Sequence, residues 1–239
     1  MTHKNILIVG ASGDIGQAIA KQLASLGHQL ILHYHRNVRA LDQLKQSISE
    51  DQIIAQIQAD LTTTRGIETF IETINYPIEQ IVFASGIPHY GLFQETSEQT
   101  MDKMLTLHVK APWVITKHLL PQMIRQQSGK IVLITSIWGT FGASYEVIYS
   151  TLKGAQNSFV KALAKEVAPS GISVNAISPG FIETKMNDHL VAEEKRAIIS
   201  DIPMNRAGTV QDIANAVCFL LSDQSSYIQG EVIHVTGGW

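Results

Sequence analysis

Seven short β-rich runs recur along the chain and constrain it more than any other feature. They are NILIVG (5–10), QLILHY (29–34), IIAQIQAD (53–60), QIVFASG (80–86), GKIVLITS (129–136), GISVNAIS (171–178) and GEVIHVTGG (230–238). Continuous apolar runs bounded by turn residues suit strands covered on both faces, which is what crossover helices require. The intervening stretches, such as GQAIAKQLASLG (16–27) and TMDKMLTLHVKAPWVITKHLLPQMI (100–124), carry helical apolar spacing, and Gly27 is placed to stop the first of them. The order βαβαβ and onward predicts an α/β chain with one doubly wound Rossmann domain over residues 1–239. Its sheet should have seven strands, mostly parallel, with ligands at their carboxyl ends. The segment 181–203 breaks the alternation: it is polar, helical in pattern, and directly follows the dipeptide Pro179-Gly180. It reads as a lid.

Composition narrows the function classes. At 239 residues with 45% hydrophobic side chains the chain can bury one large core, and a net charge of −3 gives no electrostatic case for nucleic acid or an anionic membrane. The single cysteine, Cys218, sits in the apolar run AVCFLL, as a buried free thiol would. The first apolar run, ILIV, is too short for a signal-peptide core, and nothing later approaches the length of a membrane span. A soluble, cytoplasmic protein is expected.

The stretch VGASGDIG (9–16) follows the first strand and opens the first helix. Gly10 and Gly16 can permit a tight turn and close helix packing, with backbone N–H groups facing a pyrophosphate, although such a turn can also be plain βα punctuation. Asp60, ending the third strand, could accept a hydrogen bond from an adenine amino group or cap the next helix. At the end of the second strand an NAD site needs an acid for the ribose 2′-OH, whereas a 2′-phosphate calls for a cation. HYHRN (33–37) holds no acid and offers Arg36, so NADP(H) is favoured over NAD(H), unless Arg36 is an ordinary solvated turn residue. His33 and His35 lack an identifiable third ligand, and no metal site is expected.

In YEVIYSTLKG (145–154), Tyr145, Tyr149 and Lys153 fall at i, i+4 and i+8 of a helix and share a face. Spacing alone does not say which tyrosine is chemical, or whether the helix merely carries amphipathic side chains on its surface.

The glycine-rich turn, Asp60, Ser136, the spacing of Tyr149 and Lys153, and Pro179-Gly180 together resemble the short-chain dehydrogenase/reductase family over essentially the whole chain. The 3-oxoacyl-acyl-carrier-protein reductase type is most similar. SIWG, GASYEVIYSTLKGAQNSF and VNAISPGFIETKM further resemble the elongation factor P 5-aminopentanone reductases. The resemblance implies a carbonyl reductase in which Tyr149, not Tyr145, is the acid/base. Lys153 is then its activator and ribose ligand, and Ser136 the donor to the substrate carbonyl. It implies cofactor contacts from Gly10, Ser12, Gly13, Ile15, Gly16, Tyr34, Arg36, Asp60, Leu61, Ala84, Gly86, Tyr149, Lys153, Pro179, Gly180, Ile182 and Thr184, the last either a nicotinamide ligand or a helix cap. The chemistry asks for such a set. An alkoxide needs a proton, and a phenol of ordinary pKa about 10 needs a nearby ammonium to act near neutrality.

Three departures from the family pattern stand out. His108 replaces the usual asparagine of the fourth helix. It acts either as a second proton route, and so as a catalytic residue, or as a packed histidine whose backbone carbonyl does the work. Asp14 stands at the usual middle glycine, where a carboxylate repels pyrophosphate unless it points outward, and FASG replaces NNAG. A catalytically silent dinucleotide sensor is the competing class. The partners implied are a carbonyl substrate, carried on acyl carrier protein or elongation factor P, and further copies of the chain in a homotetramer. Trp138, His89 and Tyr90 either line the substrate path or pack as aromatics.

Overall fold

The computed structural model describes residues 3–188 and 190–239. Strand β1 (Asn5–Val9) leads through α1 (Asp14–Ser25), β2 (Gln29–Tyr34), α2 (Val38–Lys45), β3 (Ile53–Gln58) and α3 (Thr64–Thr73) to β4 (Gln80–Phe83). Then follow α4 (Glu98–Leu105), α5 (Ala111–Gln126), β5 (Gly129–Ile134), the one-turn α6 (Trp138–Phe141) and α7 (Val147–Val167). The chain continues through β6 (Ile172–Pro179), α8 (Ala192–Asp201) and α9 (Val210–Leu221) to β7 (Val232–Val235).

The strands form one sheet in the order β3-β2-β1-β4-β5-β6-β7, and every pair is parallel. Each β-rich run of the sequence supplies one strand. Side chains alternate across the sheet: Ile6, Ile8, Leu30 and Leu32 pack with α1 and α9 on one face, while Leu7, Val9 and Ile31 pack with α3 and α5 on the other. Each fully buried aliphatic contributes about 1.5–3 kcal/mol of transfer free energy. Two apolar layers of this kind hold the sheet. Gly27, at φ +86°, ends α1 with its N–H on the Ala24 carbonyl, as the sequence suggested.

Two features position the site. Strand order reverses at β1, whose neighbours are β2 and β4, so the loops after β1 and β4 splay apart at the carboxyl edge. The helical stretch 100–124 is also broken: α4 ends at Leu105, Thr106–Lys110 form a π-helical turn, and α5 resumes at Ala111. His108 lies in that turn, where its carbonyl accepts a 2.7 Å hydrogen bond from Gln156 Nε2 on α7. The segment 181–203, except His189, which lies outside the described residues, holds a short turn at Lys185–Asn187 and then α8.

Candidate active site

A cavity of about 660 Å³ opens where the loops after β1, β4, β5 and β6 meet the start of α7. Its first wall is the glycine loop. Gly10 has φ +93°, and a Cβ there would lie 2.6 Å from the Ser85 nitrogen; a Cβ on Gly16 would lie 2.2 Å from the Gly10 carbonyl oxygen. Both positions require glycine so that β1, α1 and the β4 loop can approach. Gly13 precedes α1 without a side-chain cap, which leaves first-turn N–H groups available to an anion.

Asp14 does not face into that anion site unopposed. Its Oδ2 accepts from the Lys185 N–H at 2.7 Å and its Oδ1 stands 3.9 Å from Lys185 Nζ, so the carboxylate ties the first turn of α1 to the 185–187 turn. His33 is no ligand to a metal either. Its Nδ1 accepts from the Gly10 N–H at 3.1 Å, and its Nε2 donates to the Ala59 carbonyl at 3.1 Å. Burial drives the imidazole down to about 4, which keeps it neutral for this bridging role.

The second wall carries the candidate chemistry. Ser136, two residues past β5, is buried; its Oγ accepts from the Trp138 N–H at 3.2 Å and it shares a hydrogen bond with Tyr149. Tyr149 lies in the first turn of α7, and Lys153 one turn later has its Nζ 5.5 Å from the phenol ring centroid. Lys153 donates to the Ile134 carbonyl at 2.8 Å. Gly139 permits this packing, since a Cβ there would lie 2.7 Å from the Lys153 carbonyl carbon. Tyr145 is elsewhere: it precedes α7 at φ +64°, is 58% exposed, and accepts from the Gly91 N–H through its carbonyl. The two tyrosines therefore do not share a helix face.

Burial pushes the Tyr149 phenol above its ordinary value, reinforced by Glu146 and opposed by the Ser136 hydrogen bond. Burial alone drives Lys153 down to about 7. The expectation that the ammonium depresses the phenol is thus not met in the chain by itself, because the same desolvation that lifts the phenol also discharges the lysine that should oppose it.

Of the residues singled out in the sequence, Ser12, Gly13, Ile15, Gly16, Ala84, Gly86, Ser136, Tyr149, Lys153, Pro179, Gly180, Ile182 and Thr184 line the cavity. Others stand behind it. Tyr34 is half-buried against the core and Leu61 fully buried, while Arg36 is exposed and directly precedes the cavity-lining Asn37. Asp60 Oδ1 accepts from the Thr62 N–H and Oγ, its Oδ2 lies 3.6 Å from His35, and Thr63 rather than Asp60 caps α3. His108 is fully buried and does not line the cavity. Its Nε2 sits 3.2 Å from the Ile87 nitrogen and 3.1 Å from the Ile87 oxygen, its Nδ1 has no partner, and its ring meets Tyr149 edge-on at 5.7 Å. Burial, with Lys153 beside it, drives that imidazole down to about 3.

Tyr90 and Trp138 line the cavity; His89 instead pairs with Thr96 Oγ1 at 2.9 Å. The lining residues that escaped the sequence reading include Asn37, Glu146 and Trp239, the last packed edge-on against Trp138 at 5.1 Å. Glu146 carried a faint signal, lying three residues before Tyr149.

A family model described as enoyl-(acyl carrier protein) reductase matches residues 10–239. The chain belongs to the short-chain dehydrogenase/reductase family. It is an oxidoreductase of that family. The uncharacterized oxidoreductase YmfI of Bacillus subtilis (strain 168) is 47% identical over 239 residues, 99% of each chain. The 3-oxoacyl-[acyl-carrier-protein] reductase FabG of Rickettsia bellii is 36% identical, with 100% of this chain and 97% of that one covered. Among solved structures, a putative NAD(P)-dependent gluconate 5-dehydrogenase of Beutenbergia cavernae with bound NADP superposes at TM-score 0.93. It is 28% identical, over 100% of this chain and 97% of the other. As a family member the chain keeps the seven-stranded parallel sheet, and no helix among its described residues is long and apolar enough to cross a membrane.

Proposed function

We propose that this short-chain dehydrogenase/reductase reduces a carbonyl compound to an alcohol with NADPH. The observation that carries the reading is the convergence of Ser136, Tyr149 and Lys153 on the same cavity that the glycine loop walls. The loop fits a dinucleotide: the uncapped first turn of α1 offers N–H groups to a pyrophosphate, and the Asp14 carboxylate is engaged by Lys185. Ser12, Gly13, Ile15 and Gly16 would hold the phosphates, and Ala84, Gly86, Pro179, Gly180, Ile182 and Thr184 the remainder. Arg36 would meet a 2′-phosphate, in line with the bound NADP of the Beutenbergia structure.

When bound, the reduced nicotinamide supplies the hydride. Ser136 donates a hydrogen bond to the substrate oxygen where negative charge develops, and Tyr149 gives that oxygen its phenolic proton as the new C–H bond forms. Lys153 holds the resulting phenolate. The phenolate that Tyr149 would become on giving up its proton favours the ammonium that burial otherwise disfavours, so the ion pair would form as the proton leaves. The segment 181–203 acts as a lid over the cleft, tethered through Lys185.

The relatives named 3-oxoacyl-[acyl-carrier-protein] reductase support a substrate presented on a carrier protein; a modified elongation factor P shares the reacting carbonyl. NADPH oxidation with acetoacetyl-thioester, run beside intact-protein mass spectrometry of modified elongation factor P, separates the two. For the reaction itself, Tyr149→Phe should lower kcat about a thousandfold. A variant that keeps wild-type turnover contradicts the assignment. The chain further assembles as a cytoplasmic homotetramer, consistent with Leu105, Trp113 and Phe141 standing 48%, 48% and 69% exposed; light scattering showing a monomer at micromolar concentration contradicts this.

A further inference from the structure

Asp14, which stands in the glycine loop where the family pattern has a glycine, makes a bond across the cleft. Its Oδ2 accepts from the Lys185 N–H at 2.7 Å, between residues 171 positions apart, and both residues line the cavity. The turn so held is fastened at its base by packing and at its tip by this carboxylate. At the base Phe181 and Ile182 are buried, the Gly208 N–H donates to the Phe181 carbonyl, and the Glu183 N–H donates to the Gly208 carbonyl, both at 2.9 Å. Within the turn the Asn187 N–H donates to the Thr184 carbonyl at 2.9 Å, and its Nδ2 to the Ile182 carbonyl at 2.8 Å. Residues 184–187 are therefore a stiff unit on a buried base, while Lys185 and Met186 themselves are exposed.

Open space lies on both sides of this unit. Asp14, Phe181, Thr184, Lys185 and Asn187 line the cofactor cavity and also a second cavity of about 730 Å³, whose farther wall includes Lys21 and Gln211. The turn is a partition between two cavities. An exposed tip held by a hydrogen bond rather than by burial belongs to the part of a fold that opens at low free energy. The ion pair adds little, because Lys185 Nζ is exposed and 3.9 Å from Oδ1. The backbone N–H on the carboxylate is the stronger, charge-assisted contact.

We propose that Asp14 is a positioning residue that latches the 184–187 turn over the bound dinucleotide and so sets the rate at which NADP(H) leaves. The inference rests on the dinucleotide reading of the glycine loop and adds a control on release. Ser12 to Gly16 and Thr184 stand on the two elements that the latch joins, so a dinucleotide gripped by both leaves only when they part. A carboxylate without a latching role would act with the opposite sign. Asp14 lies in the first turn of α1, where competition with a pyrophosphate for the same N–H groups would speed release, and its removal would slow it.

The test reads NADPH dissociation by stopped-flow fluorescence, chasing the loaded protein with excess NADP⁺, and reads hydrogen exchange at the Lys185 amide on the cofactor-free protein. Asp14→Ala should release NADPH at least about fivefold faster and exchange that amide at least about tenfold faster. Asp14→Asn, whose amide oxygen still accepts from the Lys185 N–H, should stay within about threefold of wild type in both. Slower or unchanged release from Asp14→Ala overturns the proposal, as does an asparagine variant that releases NADPH as fast as the alanine one. A wild type that binds no NADPH would refute the dinucleotide reading and the latch together. One that binds NADPH but reduces no ketone would refute only the reductase reading, and the release rates still decide the latch.

Discussion

The two walls of the cavity are built on opposite principles. On the glycine-loop side polar groups are paired: His33 joins Gly10 to Ala59, Asp14 is held by Lys185, and Asp60 is bonded to Thr62. On the α7 side they are buried with little compensation: Lys153 has one carbonyl, Glu146 one indole, and His108 Nδ1 nothing. The first wall is shaped by packing and hydrogen bonds to receive a ligand. The second stores electrostatic cost that a charged ligand and a reacting substrate can relieve, as sites selected for chemistry rather than stability do.

Acid titration sharpens this contrast most. His33 has a folded-state value of about 4 against 6.5, so its neutral form is what the fold stabilises; no cost exists above pH 6.5, and stability is lost as pH falls from 6.5 toward 4. That shift is worth about 3 kcal/mol, and His108, lowered to about 3, acts in the same direction. Glu146, raised from 4.5 to about 7, works oppositely: its burial penalty is full above about pH 7 and is relieved as pH falls toward 4.5. Glu146→Gln should therefore steepen the acid loss between pH 6.5 and 4.5 in denaturant titrations. An unchanged profile would mean that the carboxylate is not desolvated.

A smaller effect is expected on the glycine-loop side. Arg36→Ala should erase a preference for NADPH over NADH of about tenfold, or 1.4 kcal/mol, read as the ratio of dissociation constants. Equal discrimination by mutant and wild type would assign the 2′-phosphate to another group.

The smallest concerns His108. Its carbonyl is committed to Gln156 and its imidazole to the Ile87 backbone, both behind the cavity. His108→Asn should then change kcat by less than about threefold with no new feature in the pH–rate profile. A tenfold fall with NADPH affinity intact would make the imidazole part of the proton path.

The sheet was legible in the sequence because both of its faces are buried, so each strand announces itself as an apolar run between turn residues. The cavity wall contributed by Ser12 to Gly16, Ser136, Tyr149 and Lys153 was legible through the family resemblance, since spacing alone did not choose between Tyr145 and Tyr149. What escaped depends on tertiary context. The stretch 100–124 has unbroken helical spacing, and the π turn at its centre, whose His108 is bonded to Ile87 and Gln156, leaves no mark in that spacing. Glu146 looks like any polar residue entering a helix; nothing local to it announces the indole of Trp138 on its side chain or the phenol of Tyr90, 56 residues earlier, within reach of its charge. Asp14 looked like an obstacle to pyrophosphate because its partner, Lys185, lies 171 residues on.

The central claim is that the α7 wall gives up stability to hold its chemistry. Lys153→Met tests it most directly, by thermal unfolding and NADPH oxidation on the same preparation near pH 7. Lys153 is lowered from 10.5 to about 7, so the fold favours its neutral form and the cost is full below about pH 7, fading as pH rises toward 10.5. The account predicts a protein about 1–4 kcal/mol more stable than wild type and essentially without turnover. A variant that is less stable, or that still oxidises NADPH with a ketone, would contradict it.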